Sequence, residues 1–156
     1  PYRGSANETL NRMLYANTIT ALEAFLSDYI LCAVTNDEEV LKCLVENLKE
    51  LKNRKITLGS LVDGESSALG LVREVIEGVT FHNLRAAEEY YKAAFGIEFE
   101  PPEVIKEAVN TRHDIVHRGG KRVGETELLT VSQSEIHNLI IEVQKFVAAL
   151  LDRLDK

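Results

Sequence analysis

The sequence is poor in the residues that break or staple a chain. It has 9 glycines, 3 prolines and 2 cysteines in 156 residues. So few glycines and prolines exclude a collagen-like or linker-like polypeptide. Two cysteines, Cys32 and Cys43, cannot build a disulfide framework. They fall in separate apolar patterns and read as small core residues, with a single bridge between them as the alternative. No CxxC pair and no Cys/His zinc spacing occurs. That cysteine usage suits a reducing cytoplasm. No uninterrupted apolar run approaches the ~18 residues needed to cross a bilayer. The longest candidate, Ala21 to Val34, is broken by Glu23, Ser27 and Asp28. The N-terminus has no signal-peptide layout, so the expectation is a cytoplasmic protein without membrane contact. The chain begins at Pro1, which suits a fragment or a processed chain.

What is present suits one globular domain over 1–156. Hydrophobic residues make up 45% of the chain and charged residues 28%. A chain of this size buries roughly 68–70% of its unfolded surface, enough for a core without staples. The net charge of −7 argues against strong non-specific nucleic-acid binding, and no DNA partner is expected. A local basic site remains compatible with it.

Apolar residues recur with a period near 3.6 almost throughout. Leu10, Leu14, Ala21, Leu22, Phe25, Leu26, Tyr29 and Ala33 predict a first helix from about Ser5 to Val34. Asn36 precedes Glu39 by three, a capping-box spacing, and Val40 to Leu51 continue as a second amphipathic helix. Residues Ile56–Ser66 read as a loop. A short helix ends near Gly78, and another runs from about Asn83 to Phe95, stopped by Gly96. Glu103 to His117 follows Pro101 and Pro102 and ends before Gly119 and Gly120. Ser132 and Glu135 have capping-box spacing and open the last long helix. Only Glu98–Glu100 and Val123–Val131 suggest extended chain. The fold class is an all-α, up-and-down bundle of five to six helices.

The chemistry concentrates in Arg112–Arg122, RHDIVHRGGKR. Arg112, Arg118, Lys121 and Arg122 against Asp114 give this stretch +3, leaving −10 elsewhere. Such an island is a candidate anion site or a solvated helix end, since cations collect at helix C-termini. Arg112 falls inside the apolar stripe of Ile105, Ala108, Val109 and Val116. A guanidinium there must either pair with a carboxylate on another helix or line a cleft. His117 follows by five residues, which turns it about 140° from Arg112 on a regular helix. His113 and His117 share one face and could hold a metal, yet no third ligand is evident, so none is expected. His82 and His137 stand alone. No P-loop, Rossmann glycine pattern or GxSxG elbow is present, and no cofactor is implied.

Arg112 to His117 fits an R-x4-H pattern. Together with Asn110 to Gly120, and with Asn17, Leu22, Glu23, Phe25 and Tyr29 on the first helix, the chain resembles HEPN domains of the RiboL-PSP-HEPN type. The resemblance implies a helical bundle that dimerises through its motif helices. It implies a metal-independent endoribonuclease in a defence or toxin–antitoxin setting, with RNA, a second copy and an antitoxin or other protein as partners. Arg112 would neutralise the scissile phosphate. His117 would be general acid/base while the ribose 2′-OH attacks, and His113 would support it. Arg118, Lys121 and Arg122 would hold flanking phosphates, although Asp114 is placed to pair with Arg118. The competing expectations are a non-catalytic HEPN interaction module, alone or within a larger protein, and an unrelated bundle binding a small ligand or metal through His113 and His117.

Overall fold

The structure is a computed structural model that describes residues 6–55, 67–79, 81 and 83–155. The loop expected at 56–66 and His82 lie outside the described residues. Seven helices and no strand are present among the described residues. They are α1 (Ala6–Asn36), α2 (Glu38–Asn47), α3 (Lys49–Lys52), α4 (Ala68–Gly78), α5 (Leu84–Phe95), α6 (Glu103–His117) and α7 (Gln133–Leu154). The architecture is an all-α helical bundle. The stretches 98–100 and 123–131 are irregular rather than stranded.

Local signals account for most boundaries. The Ser132 hydroxyl accepts from Glu135 N, and the Glu135 carboxylate accepts from Ser132 N at 2.8 Å, closing the expected capping box of α7. Asn83 caps α5, and Gly96 ends it in the left-handed conformation at φ 70°. The start of α2 differs from expectation. Asp37, not Asn36, is its cap, with Oδ1 accepting from Glu39 N and Val40 N. Asn36 instead closes α1, donating to Cys32 O.

The second helix is also shorter than its apolar period suggested. It breaks at Leu48, which adopts extended backbone, and α3 supplies the extra helix. Asn47, just before the break, turns its amide onto Cys43 O and Ala93 O. Both Leu48 and Leu51 stay buried across the interruption.

The chain divides into two compact units. The first comprises residues 1–23 and 101–156, and the second residues 24–100. In the second, α2 packs on α5, α3 and α4. Its core joins Leu26, Ile30, Leu44 and Ile76 to an aromatic cluster around the fully buried Tyr91. Cys32 is exposed and Cys43 half-buried, and both are free. The expectation of core cysteines was therefore wrong, because the buried face of α1 runs through Leu26, Ile30 and Val34 and passes Cys32 by.

In the first unit α6 packs on α7. Ile105, Ala108, Ile136 and Leu139 are buried, as are Ala16 and Ile19 of α1. Leu10 and Leu14, expected to face inward, are exposed. The true stripe is Arg12, Ala16, Ile19 and Leu22, with Glu23 alongside. By length and composition α1 is apolar enough to cross a membrane, with a mean hydropathy of 1.3 over 18 residues. Its apolar residues also serve burial, since Ala16, Ile19, Leu22, Leu26 and Ile30 are buried.

Candidate functional site

Helix α6 carries the basic island to its C-terminal end. Ile105 and Ala108 are fully buried, and Arg112 follows them on the same face. Val116, assigned to that stripe from the sequence, is 52% exposed, and Ile115 beside it is half-buried. The arginine is held by a carboxylate from another helix, one of the two options left open by its spacing. Arg112 Nη2 lies 3.5 Å from Glu23 Oε2, with side-chain exposures of 16% and 12%. The contact is a single one. Arg112 Nε and Glu23 Oε1 are buried without a hydrogen-bond partner, so the pair lacks the two parallel bonds of a bidentate clamp.

Position 15 adds a second polar neighbour to this helix. Burial, assisted by the Glu135 charge, raises the Tyr15 pKa above the ordinary phenol value, and the Thr111 side chain acts to lower it.

His113 and His117 are exposed, one turn apart, with ring centroids separated by 4.7 Å. Helix α6 is regular to His117, so the turn of about 140° between Arg112 and His117 stands within one chain. No third His, Cys, Asp or Glu joins the two imidazoles in a metal-binding cluster among the described residues. His137 is exposed on α7.

Past the helix, Asp114 and Arg118 pair on the surface as expected. Gly119 and Gly120 turn the chain through φ 63° and 82°, and Lys121 and Arg122 follow, both exposed. The turn is anchored by Gly120 N donating to Asp114 O at 3.0 Å, and Leu129 N donates to Gly120 O at 2.7 Å.

Two residues join the site that spacing along α6 does not single out. One is Glu23, the partner of Arg112. The other is Arg12, which is only 8% exposed. Its Nη1 donates to Leu129 O at 3.1 Å and its Nη2 to Thr9 Oγ1 at 3.1 Å. The neighbouring Asn11 amide donates to Val131 O at 2.8 Å. Gly120 lies directly over the Arg12 stem, where a Cβ would stand 3.2 Å from Cδ. The signal available was periodicity. Arg12 and Glu23 are in phase with Ala16 and Ile19, whereas the stripe through Leu10 and Leu14 lies on another face.

The arrangement therefore offers exposed imidazoles for proton transfer, two exposed cations on a pinned loop, and a half-buried arginine already engaged by a carboxylate. Comparison with known protein families, with curated proteins and with solved structures finds no match for this chain.

Proposed function

We propose that the protein is a cytoplasmic, metal-independent endoribonuclease of the HEPN type, acting as a homodimer in a defence or toxin–antitoxin setting. The observation that carries this reading is the pair of exposed imidazoles, His113 and His117, followed along the chain by the exposed cations Lys121 and Arg122. Imidazole is the side chain suited to proton transfer near neutral pH. Cations on a fixed loop hold phosphates without reading sequence.

The proposed reaction is transesterification. The ribose 2′-oxygen bonds to phosphorus, and the bond from phosphorus to the 5′-oxygen breaks. The products are a 2′,3′-cyclic phosphate and a free 5′-OH. One His117 removes the 2′-OH proton, and His117 of a second copy delivers a proton to the departing oxygen. In-line displacement needs these two groups on opposite sides of phosphorus, and a His pair one helical turn apart presents both rings on one side. This is the physical reason for assigning the site to two chains. His113 supports proton transfer, and Arg112 neutralises the phosphate.

A second reading, a non-catalytic HEPN-type interaction module, is favoured by the Arg112–Glu23 pair. There Arg112 would serve the fold and its charge would be spent. The deciding experiment is RNA cleavage in excess EDTA by the natural chain and by folded His117→Ala, with product ends identified by mass spectrometry. Cleavage to cyclic phosphates by the first alone supports the ribonuclease. A dimer that cleaves nothing on varied RNAs overturns it in favour of the module.

A further inference from the structure

The two imidazoles of α6 have a second capacity besides proton transfer. His113 and His117 stand one turn apart and are both exposed. No hydrogen bond or ion pair among the described residues engages either ring, so their nitrogens are open to a ligand. A zinc–imidazole bond is about 2 Å long, so two rings that clasp one tetrahedral ion stand about 5 Å apart centre to centre. The observed separation of the ring centroids is 4.7 Å, with the rings tilted by 44° instead of stacked.

The surroundings suit a cation. His117 is the last residue of α6, and His113 lies one turn before it. The final carbonyls of a helix carry the negative end of its dipole, which favours positive charge there. The two arginines that flank the pair in sequence do not oppose this at full strength. Arg112 lies 3.5 Å from Glu23, and Arg118 pairs with Asp114, so each guanidinium charge is answered by a carboxylate. The ligand type then selects the ion. Imidazole suits zinc, nickel and copper, whereas magnesium and calcium take oxygen ligands.

We propose that His113 and His117 form a site for one zinc-type divalent ion per chain, bound through one ring nitrogen of each, with water in the remaining positions. Coordination takes up the nitrogen lone pair that otherwise accepts a proton. In a ribonuclease working through His117, zinc is therefore an inhibitor that a chelator removes, and the metal-free form is the active one. That consequence rests on the proposed ribonuclease reading, whereas the site itself rests only on the exposed face of α6.

The test is a titration of the full chain with Zn²⁺, Ni²⁺ and Mg²⁺, read by calorimetry and by the NMR signals of the histidine rings. Zn²⁺ and Ni²⁺ are expected to bind with Kd below about 1 mM, and Mg²⁺ is not expected to bind. Zn²⁺ should move the ring signals of His113 and His117 and leave that of the exposed His137 in place. His113→Ala and His117→Ala should each weaken Zn²⁺ at least about tenfold, since a single imidazole remains, while His137→Ala binds like the natural chain. Both ligands are exposed, so their variants are expected to fold. RNA cleavage by the natural chain should fall with added Zn²⁺ and return with EDTA. A chain that binds Zn²⁺ through both rings and cleaves no RNA upholds the site and overturns the ribonuclease. Undiminished cleavage by the Zn²⁺-saturated chain overturns the inhibitory role. Absence of Zn²⁺ and Ni²⁺ binding, Mg²⁺ binding as tight as Zn²⁺, or full Zn²⁺ affinity in either His113→Ala or His117→Ala overturns the site.

Discussion

The stretch from 24 to 100 and the stretches on either side of it bury their helices by different chemistry. Between 24 and 100, Tyr91 packs against Tyr29, Phe95 and Phe99 at centroid distances of 6.3, 5.5 and 5.4 Å. Its hydroxyl donates to Leu26 O at 3.0 Å, and burial raises its pKa above the ordinary phenol value. Residues 1–23 and 101–156 pack an aliphatic core through Ile19, Ile105 and Leu139 and enclose guanidinium groups with it, Arg12 buried and Arg112 half-buried. Arg112 meets Glu23, and Arg12 reaches Leu129 O and Thr9. Aromatic burial is non-directional and contributes through area. Buried charges contribute little net stability, but they penalise any arrangement that leaves them alone. The first chemistry suits a scaffold. The second suits a region that must hold groups in defined places, and the exposed His113, His117, Lys121 and Arg122 lie there.

The largest effect should come from the aromatic side. Tyr91→Ala is expected to cost about 3–5 kcal/mol in chemical denaturation, and Tyr91→Phe only about 1 kcal/mol. A loss below about 1 kcal/mol for Tyr91→Ala would show that area burial is not what holds residues 24–100.

The charged side should respond through pairing rather than area. Glu23→Ala is expected to cost about 2 kcal/mol, because it strands Arg112. Adding Arg112→Met should return most of that loss. A double variant no better than Glu23→Ala alone would mean that Glu23 stabilises the fold through something other than Arg112.

The smallest effect is at the α7 cap. Ser132→Ala should cost about 1 kcal/mol. Hydrogen bonds from Ser132 lower the Glu135 pKa below its usual 4.5. A carboxylate with a lowered folded pKa stabilises above the unfolded value, and that contribution fades as pH falls through the folded one. Melting temperatures measured from pH 6 down to pH 3 should therefore fall more steeply in the natural chain than in Glu135→Gln. Parallel curves would remove the capping carboxylate from the account.

Much of the fold was legible because its signals are local. Ser132 with Glu135, Asn83, and Gly96 mark helix ends through atoms three or four residues apart. The Asp37 cap was missed because Asn36 is an equally good capping residue by type, and geometry chose between them. The inner face of α1 was missed for a related reason. Leu10, Met13, Leu14 and Ile19 surround the helix with apolar residues, so period alone could not choose a face.

The candidate site divides in the same way. The sequence by itself determined that Arg112 is out of place in an apolar stripe, that His113 and His117 share a face, and that Asp114 can reach Arg118. Each follows from helical spacing over one or two turns. Only the tertiary structure decided that Glu23 is the partner of Arg112 and that Arg12 lies buried beneath Gly120. Those partners lie on α1, far along the chain from α6. Spacing along one helix fixes directions around its own axis, whereas a contact between helices depends on which faces packing brings together.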